Sequence, residues 1–234
     1  MNLLALDTST DSLTVAVQRA DGARYTHGAP GGAQASATLI PAVLDLLARA
    51  GLTLRDLAAI AFGAGPGAFT GLRTACAVAQ GLGHGAGVPL LPVDTLLVLA
   101  EAARAQTGAE RVLAVLDARM DEVYAAAWQW TDGGWMARAP MGVSAPEGVA
   151  LPPGEVACDW LLAGNALAVC GDRLPAGCAR LAVQPDAVAL LRLAPALLAA
   201  GAAVPAAQAL PRYIRDKVAQ TTAEREAARA AAGA

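Results

Sequence analysis

The chain has 234 residues, 17 basic and 20 acidic, for a net charge of −3, and 56% of it is hydrophobic. Sixty residues are alanine, and the bulkier apolar side chains that remain suffice for one or two domains of ordinary size. The low charged fraction excludes disorder, the breaks at Arg192, Pro195, Gly201 and Pro205 exclude a membrane span over 187–210, and the balanced charge excludes a global electrostatic footprint for nucleic acid.

Asp7 ends the first apolar run after a few residues, so no signal peptide is expected and the protein is expected in the cytoplasm, with no membrane partner. Only Lys217 is lysine, an imbalance that reflects a GC-rich genome rather than a phosphate site. Cys76, Cys158, Cys170 and Cys178 form no CxxC pair and are expected to be reduced, buried small hydrophobes.

In chain order, Leu3 to Asp7 reads as a strand that turns through Thr8–Ser12 into a second strand at Leu13–Arg19. Asp21-Gly22 turns that into a third strand over 23–27. Residues 35–50 place Leu39, Val43, Leu46, Leu47 and Ala50 at helical spacing, with Gly51 as the terminating glycine. A strand over 57–62, a glycine-rich loop, a helix over 70–85, a strand over 90–93 and a helix over 95–105 complete a βββαβα unit and a linker helix. A second start follows, because Val112–Asp117 echoes Leu3–Asp7 and the strands 122–130 and 135–139 follow it. Residues 145–182 read as short strands among Pro and Gly, 185–200 as a helix, and the tail beyond Leu210 as helical or frayed.

Three features carry candidate chemistry. The carboxylate and hydroxyls of Asp7-Thr8-Ser9-Thr10 either hold a phosphate or hydrated Mg²⁺ or merely close a hairpin. The loop Gly63–Arg73 is either a tight strand-to-helix turn with Thr70 as the expected N-cap or an anion site at the helix N-terminus, and it lacks both the Walker and the Rossmann spacing. In the helix after it, Gly71, Ala75, Ala79 and Gly83 form one row of small residues, and Ala77, Gly81 and Gly85 form a second. Since each internal glycine costs about 1 kcal/mol relative to alanine, two small rows predict close packing on both sides and hence an interface made by helices 35–50 and 70–85. His27 and His84, both expected in surface turns, make no HxxxH or HExxH pair, which argues against a histidine metal centre and a catalytic triad.

Leu3–Thr10, the loop GAGPGAFTGLR at Gly63–Arg73, Asp117–Tyr124 and Pro211-Arg212-Tyr213-Ile214-Arg215 together resemble the TsaB (YeaZ) family, in the expected order over nearly the whole chain. The resemblance implies an α/β, actin-like and Hsp70-like ATPase (ASKHA) fold of two RNase H-like halves. These are residues 1–105, joined by a C-terminal helix over about 206–234, and a shorter 106–205. It also implies a role in forming N6-threonylcarbamoyladenosine at position 37 of tRNAs reading ANN codons. There the paralogue TsaD, with an HxxxH metal site, performs the transfer, and TsaB-like proteins are its non-catalytic dimerising partners, joined by the ATPase TsaE. The matching helix here, Gln34–Pro41, contains no histidine.

By the same resemblance, Leu39, Val43, Leu46, Leu47, Leu72, Ala75, Cys76 and Ala79 are expected to mark the helix pair that bears partner contacts, some of them facing the chain's own core, in a heterodimer with TsaD or a homodimer. Asp7, Thr8, Ser9, Gly65, Pro66 and Gly67 are expected to line a vestigial nucleotide cleft. No cofactor is required of this subunit, ATP or ADP binding being left to the complex, and tRNA is reached through it, with direct contact by Arg212 and Arg215 a weaker expectation. The rival classes are a small-molecule kinase of the same superfamily, for which the second half offers only Gly133-Gly134, and a metallopeptidase, which the missing histidine pair disfavours.

Overall fold

The computed structural model describes residues 1–32 and 35–215. The opening meander is β1 (Leu3–Asp7), β2 (Ser12–Gln18) and β3 (Arg24–Pro30), followed by α1 (Ala35–Ala50), β4 (Ala59–Gly65), α2 (Phe69–Ala86), β5 (Leu90–Asp94) and α3 (Thr95–Thr107). These five strands form one sheet in the order β3-β2-β1-β4-β5, with β2 antiparallel to β1, and β4 and β5 parallel to it. Strand β4 starts two residues later than expected because a 3-10 turn at Leu54–Asp56, closed by the Asp56 carboxylate on Thr53 N at 2.7 Å, holds Leu57 outside the ladder.

The second sheet repeats the plan. It is built from β6 (Arg111–Arg119), β7 (Glu122–Thr131), β8 (Gly134–Ala137), β9 (Gly142–Ser144), β10 (Leu161–Ala163) and β11 (Ala179–Leu181). Its order is β11-β10-β6-β7-β8 with β9 on β7, so β6-β7-β8 reproduces the antiparallel β1-β2-β3, and β10 and β11 reproduce the parallel β4 and β5. Between β8 and β10, where the first half has α1, this half has β9 and two 3-10 turns. The short α4 (Ala166–Cys170) and α5 (Ala187–Ala199) complete the helices.

Strand alternation sorts the side chains into three cores. Leu4, Leu6, Ile60 and Phe62 pack on one face of the first sheet with the inner sides of α1 and α2. Leu3, Ala5 and Ala61 face the other way and join α3, α5 and the Val112, Ala114 and Leu116 side chains of β6 in a shared central layer. Leu113, Val115, Trp160 and Leu162 pack beneath α4 on the far face of the second sheet. The expected boundary at 105/106 falls in the last turn of α3, a helix packed against strands of both sheets.

Other expectations are corrected locally. The N-cap of α2 is Ala68, with no side-chain bond, and Thr70 lies inside the helix. His27 sits on β3 and His84 in the last turn of α2. Cys76 and Cys170 are buried, but Cys158 is exposed and Cys178 only partly covered. The tail forms no helix over 206–215: a 3-10 turn at Ala206–Gln208 leads into an extended segment, because Pro211 holds the preceding residue out of the α region. The expected helix beyond residue 215, and Gln34 of the expected first helix, lie outside the described residues.

Candidate functional site

The four motifs singled out in the sequence meet at one cleft between the sheets. It is a cavity of about 200 Å³ whose walls include Ser9, Pro66, Gly67, Asp117, Arg119, Tyr124, Asn165 and the tail residues 212–215. Of the six expected cleft residues, Ser9, Pro66 and Gly67 line it; Asp7, Thr8 and Gly65 do not.

Asp7 is withdrawn into the sheet. Its Oδ1 accepts from Ser9 N at 2.9 Å and from Ser9 Oγ at 2.7 Å, which closes the β1–β2 turn. Its Oδ2 is buried against Gly63, where an added Cβ would overlap it, and has no partner among the described residues. Burial pushes the Asp7 carboxyl up to about 6, the Ser9 hydrogen bonds opposing the rise in part. The second half repeats this turn: Asp117 Oδ1 accepts from Arg119 N at 2.8 Å, but its Oδ2 pairs with Arg119 Nη1 at 3.1 Å. Thr8 is buried and donates to the carbonyl of Gly71 at 2.7 Å, tying the turn to the start of α2.

Sequence reasoning missed that the tail closes this cleft. Arg212 N donates to Ala64 O at 2.6 Å and its guanidinium lies 3.5 Å from Asp94. Burial raises the Asp94 carboxyl to about 6, with Leu96 N and Arg212 opposing the rise. Tyr213 stacks on Phe69 with ring centroids 5.4 Å apart and receives Arg73 Nε at 3.0 Å, while the Arg73 guanidinium lies 3.8 Å over the Phe69 ring. Arg215 reaches the second sheet, donating to Ala118 O at 3.0 Å and to the Glu122 carboxylate. The tail thus bridges β4 and the β6–β7 turn. With residues 212–215 in place this cavity of about 200 Å³ is smaller than the roughly 300 to 1,000 Å³ of most ligand pockets.

The other candidate surface is the α1–α2 pair, and here the expected contact residues are corrected. Leu39, Val43, Leu46, Leu47, Leu72, Ala75, Cys76 and Ala79 are all 0–3% exposed, because the apolar face they form on the two helices packs on the chain's own sheet. The outward face of α1 instead carries Ile40 at 42% and Leu44 at 52% exposure, with Pro41 and Ala48 also exposed. On α2 the row Gly71, Ala75, Ala79 and Gly83 is buried, whereas Ala77, Gly81 and Gly85 are exposed. A Cβ added at Gly71 would overlap the Thr8 carbonyl, and one at Gly83 would lie 2.7 Å from Leu90 Cδ2; at Gly81 and Gly85 it would meet nothing among the described residues within 4 Å.

With this geometry, the chain can be set beside known proteins. The tRNA threonylcarbamoyladenosine biosynthesis protein TsaB of Escherichia coli (strain K12) is 35% identical over 224 residues, which cover 94% of this chain and 96% of that protein. The chain belongs to the TsaB (YeaZ) family. Another TsaB, from Haemophilus influenzae, is 42% identical over 126 residues, about half of each chain. The solved structure of YeaZ from Pseudomonas aeruginosa superimposes with a TM-score of 0.84 at 43% identity, over 91% of this chain and 99% of that one. Residues 27–223 also match the family model described as TsaD, tRNA N6-adenosine threonylcarbamoyltransferase. TsaB and TsaD thus share the actin-like ASKHA fold seen here as two sheets of the same strand order.

Proposed function

We propose that this chain is a non-catalytic partner subunit in the formation of N6-threonylcarbamoyladenosine at position 37 of tRNAs that read ANN codons. It pairs with a TsaD-type transferase, which supplies the chemistry, while a TsaE-type ATPase and tRNA engage the pair in the cytoplasm. The observation that carries the reading is the outward face of α1 and α2: α1 exposes Ile40 and Leu44, and α2 exposes the row Ala77, Gly81 and Gly85, whose smallness no packing among the described residues requires. Large apolar residues beside small ones let a partner helix approach closely. In this reading residues 1–105, completed by the tail, form the subdomain that bears the partner surface, and 106–205 the other.

Two further observations support a non-catalytic role. The only histidines, His27 and His84, lie on different elements and supply no HxxxH pair. The cleft in which related folds hold nucleotide is narrowed by residues 212–215. Reconstitution tests the proposal: the TsaD-type protein, TsaE-type protein, threonylcarbamoyl-adenylate and tRNA are combined with and without this chain. Modification should require both this chain and the TsaD-type protein, and modification without the latter overturns the assignment. Leu44→Asp should weaken pairing at least tenfold in sedimentation or calorimetry and leave the circular dichroism unchanged. The same face also suits a homodimer, which Leu44→Asp would then disperse.

A further inference from the structure

The second sheet carries a thiol pair that the partner role does not use. A 3-10 turn at Ala157–Asp159 enters β10, and the loop ending at Cys178 enters β11, its parallel neighbour. Two observations bring the approaches together. The ladder pairs Leu161 with Ala179, and a Cβ at Gly177 would lie 3.1 Å from the Cβ of Ala157. Cys158 directly follows Ala157 within the 3-10 turn, and Cys178 directly follows Gly177, so each cysteine adjoins one member of this contact. A disulfide requires Cα atoms about 4.4–6.8 Å apart, so a bond between the two cysteines would report that approach directly.

The structure assigns Cys158 and Cys178 as a reversible dithiol–disulfide site that closes under a hydroperoxide. Cys158 is exposed and within reach of solvent, whereas Cys178 is partly covered by the core around Trp160. Burial pushes the Cys178 thiol up, Arg180 opposing the rise and Cys158 adding to it. The division of labour follows from exposure. Cys158 thiolate attacks the peroxide oxygen, the O–O bond breaks, and a sulfenic acid forms as one water leaves when the peroxide is hydrogen peroxide. Cys178 sulfur then attacks the sulfenic sulfur, gives up its proton, and displaces the hydroxyl as a second water. Two thiols are oxidised by two electrons in total and one peroxide is reduced. The product staples the turn before β10 to β11, the edge strand of its sheet. Buried Cys76 and Cys170 stay reduced because peroxide cannot reach them.

The test uses the full chain. Native protein is treated with equimolar hydrogen peroxide, its free thiols are alkylated, and the denatured chain is digested for mass spectrometry. The expected result is a fall from four free thiols to two, a peptide pair linked through Cys158 and Cys178, no covalent dimer on a non-reducing gel, and recovery of all four thiols with dithiothreitol. Cys178→Ser should abolish the intramolecular link and leave Cys158 as a sulfinic acid or an intermolecular disulfide, whereas Cys170→Ser should leave the link intact. If the unmutated chain itself gives only over-oxidised or intermolecularly bonded Cys158 while Cys178 stays alkylatable, the site does not exist.

Discussion

Helix α2 presents rows of small residues on opposite sides for different reasons. On the inner side smallness is enforced: Gly71 lies against the Thr8 carbonyl, Gly83 against Leu90 and the Val88 carbonyl, and Ala75 and Ala79 are buried on the sheet. On the outer side it is optional, since among the described residues nothing lies within 4 Å of a Cβ at Gly81 or Gly85. A residue constrained by its own fold says little about partners. One that forgoes helix propensity without a neighbour to require it points outside the chain.

The contrast fails if inner and outer substitutions behave alike. The largest effect is expected at Gly71→Val, where the obstacle is the β1–β2 backbone rather than a side chain that can swing away. Overpacking of this kind costs up to about 3 kcal/mol or more, read as a lower urea midpoint with loss of soluble yield. Asp7→Asn is expected to act in the opposite direction and less strongly. Because the folded carboxyl titrates at about 6, above its ordinary 3.8, the folded state holds the proton more tightly than the unfolded one. Stability of the unmutated chain from this group therefore rises as pH falls from about 6 toward 4 and is lost as pH rises through 6. The amide keeps the Ser9 acceptor but leaves an unpaired N–H, so the variant should gain only about 1 kcal/mol at pH 7. Urea midpoints of both chains at pH 4, 5, 6 and 7 should show that gain shrinking toward acid. The smallest effect is expected at Gly81→Ala, a stabilisation of at most about 1 kcal/mol from helix propensity alone. A loss of stability there in the isolated chain would mean that the outer row is constrained by the fold after all.

Much of this was legible from the sequence. Alternation and the Asp-terminated runs at Leu3–Asp7 and Val112–Asp117 revealed the duplicated meander, which the two sheets share strand for strand. Fourfold spacing revealed both small rows of α2. It did not reveal which row faces in, because alanine and glycine fit either side and the choice depends on where the Thr8 carbonyl lies, a contact 63 residues away. For the same reason the bulky residues of α1 were assigned to a partner: periodicity identifies an apolar face but not what covers it, and the chain's own sheet covers the face of Leu39, Val43 and Leu46. The closed cleft was hidden because residues 212–215 gain their meaning only from Ala64, Asp94, Phe69 and Glu122, none near them in sequence.

The return of the chain to its first sheet also bears on how the protein is made. Ala209 is fully buried in the α1–α2 core, its carbonyl receives Gln80 Nε2 at 2.8 Å, and Val204 pairs with Leu90. A ribosome that has delivered α1 to β5 has therefore not delivered all of the core those elements enclose, and the gap persists until more than a hundred further residues have emerged. Closing contacts this distant in sequence is slow, so during synthesis the nascent first half exposes apolar surface that the mature protein never shows.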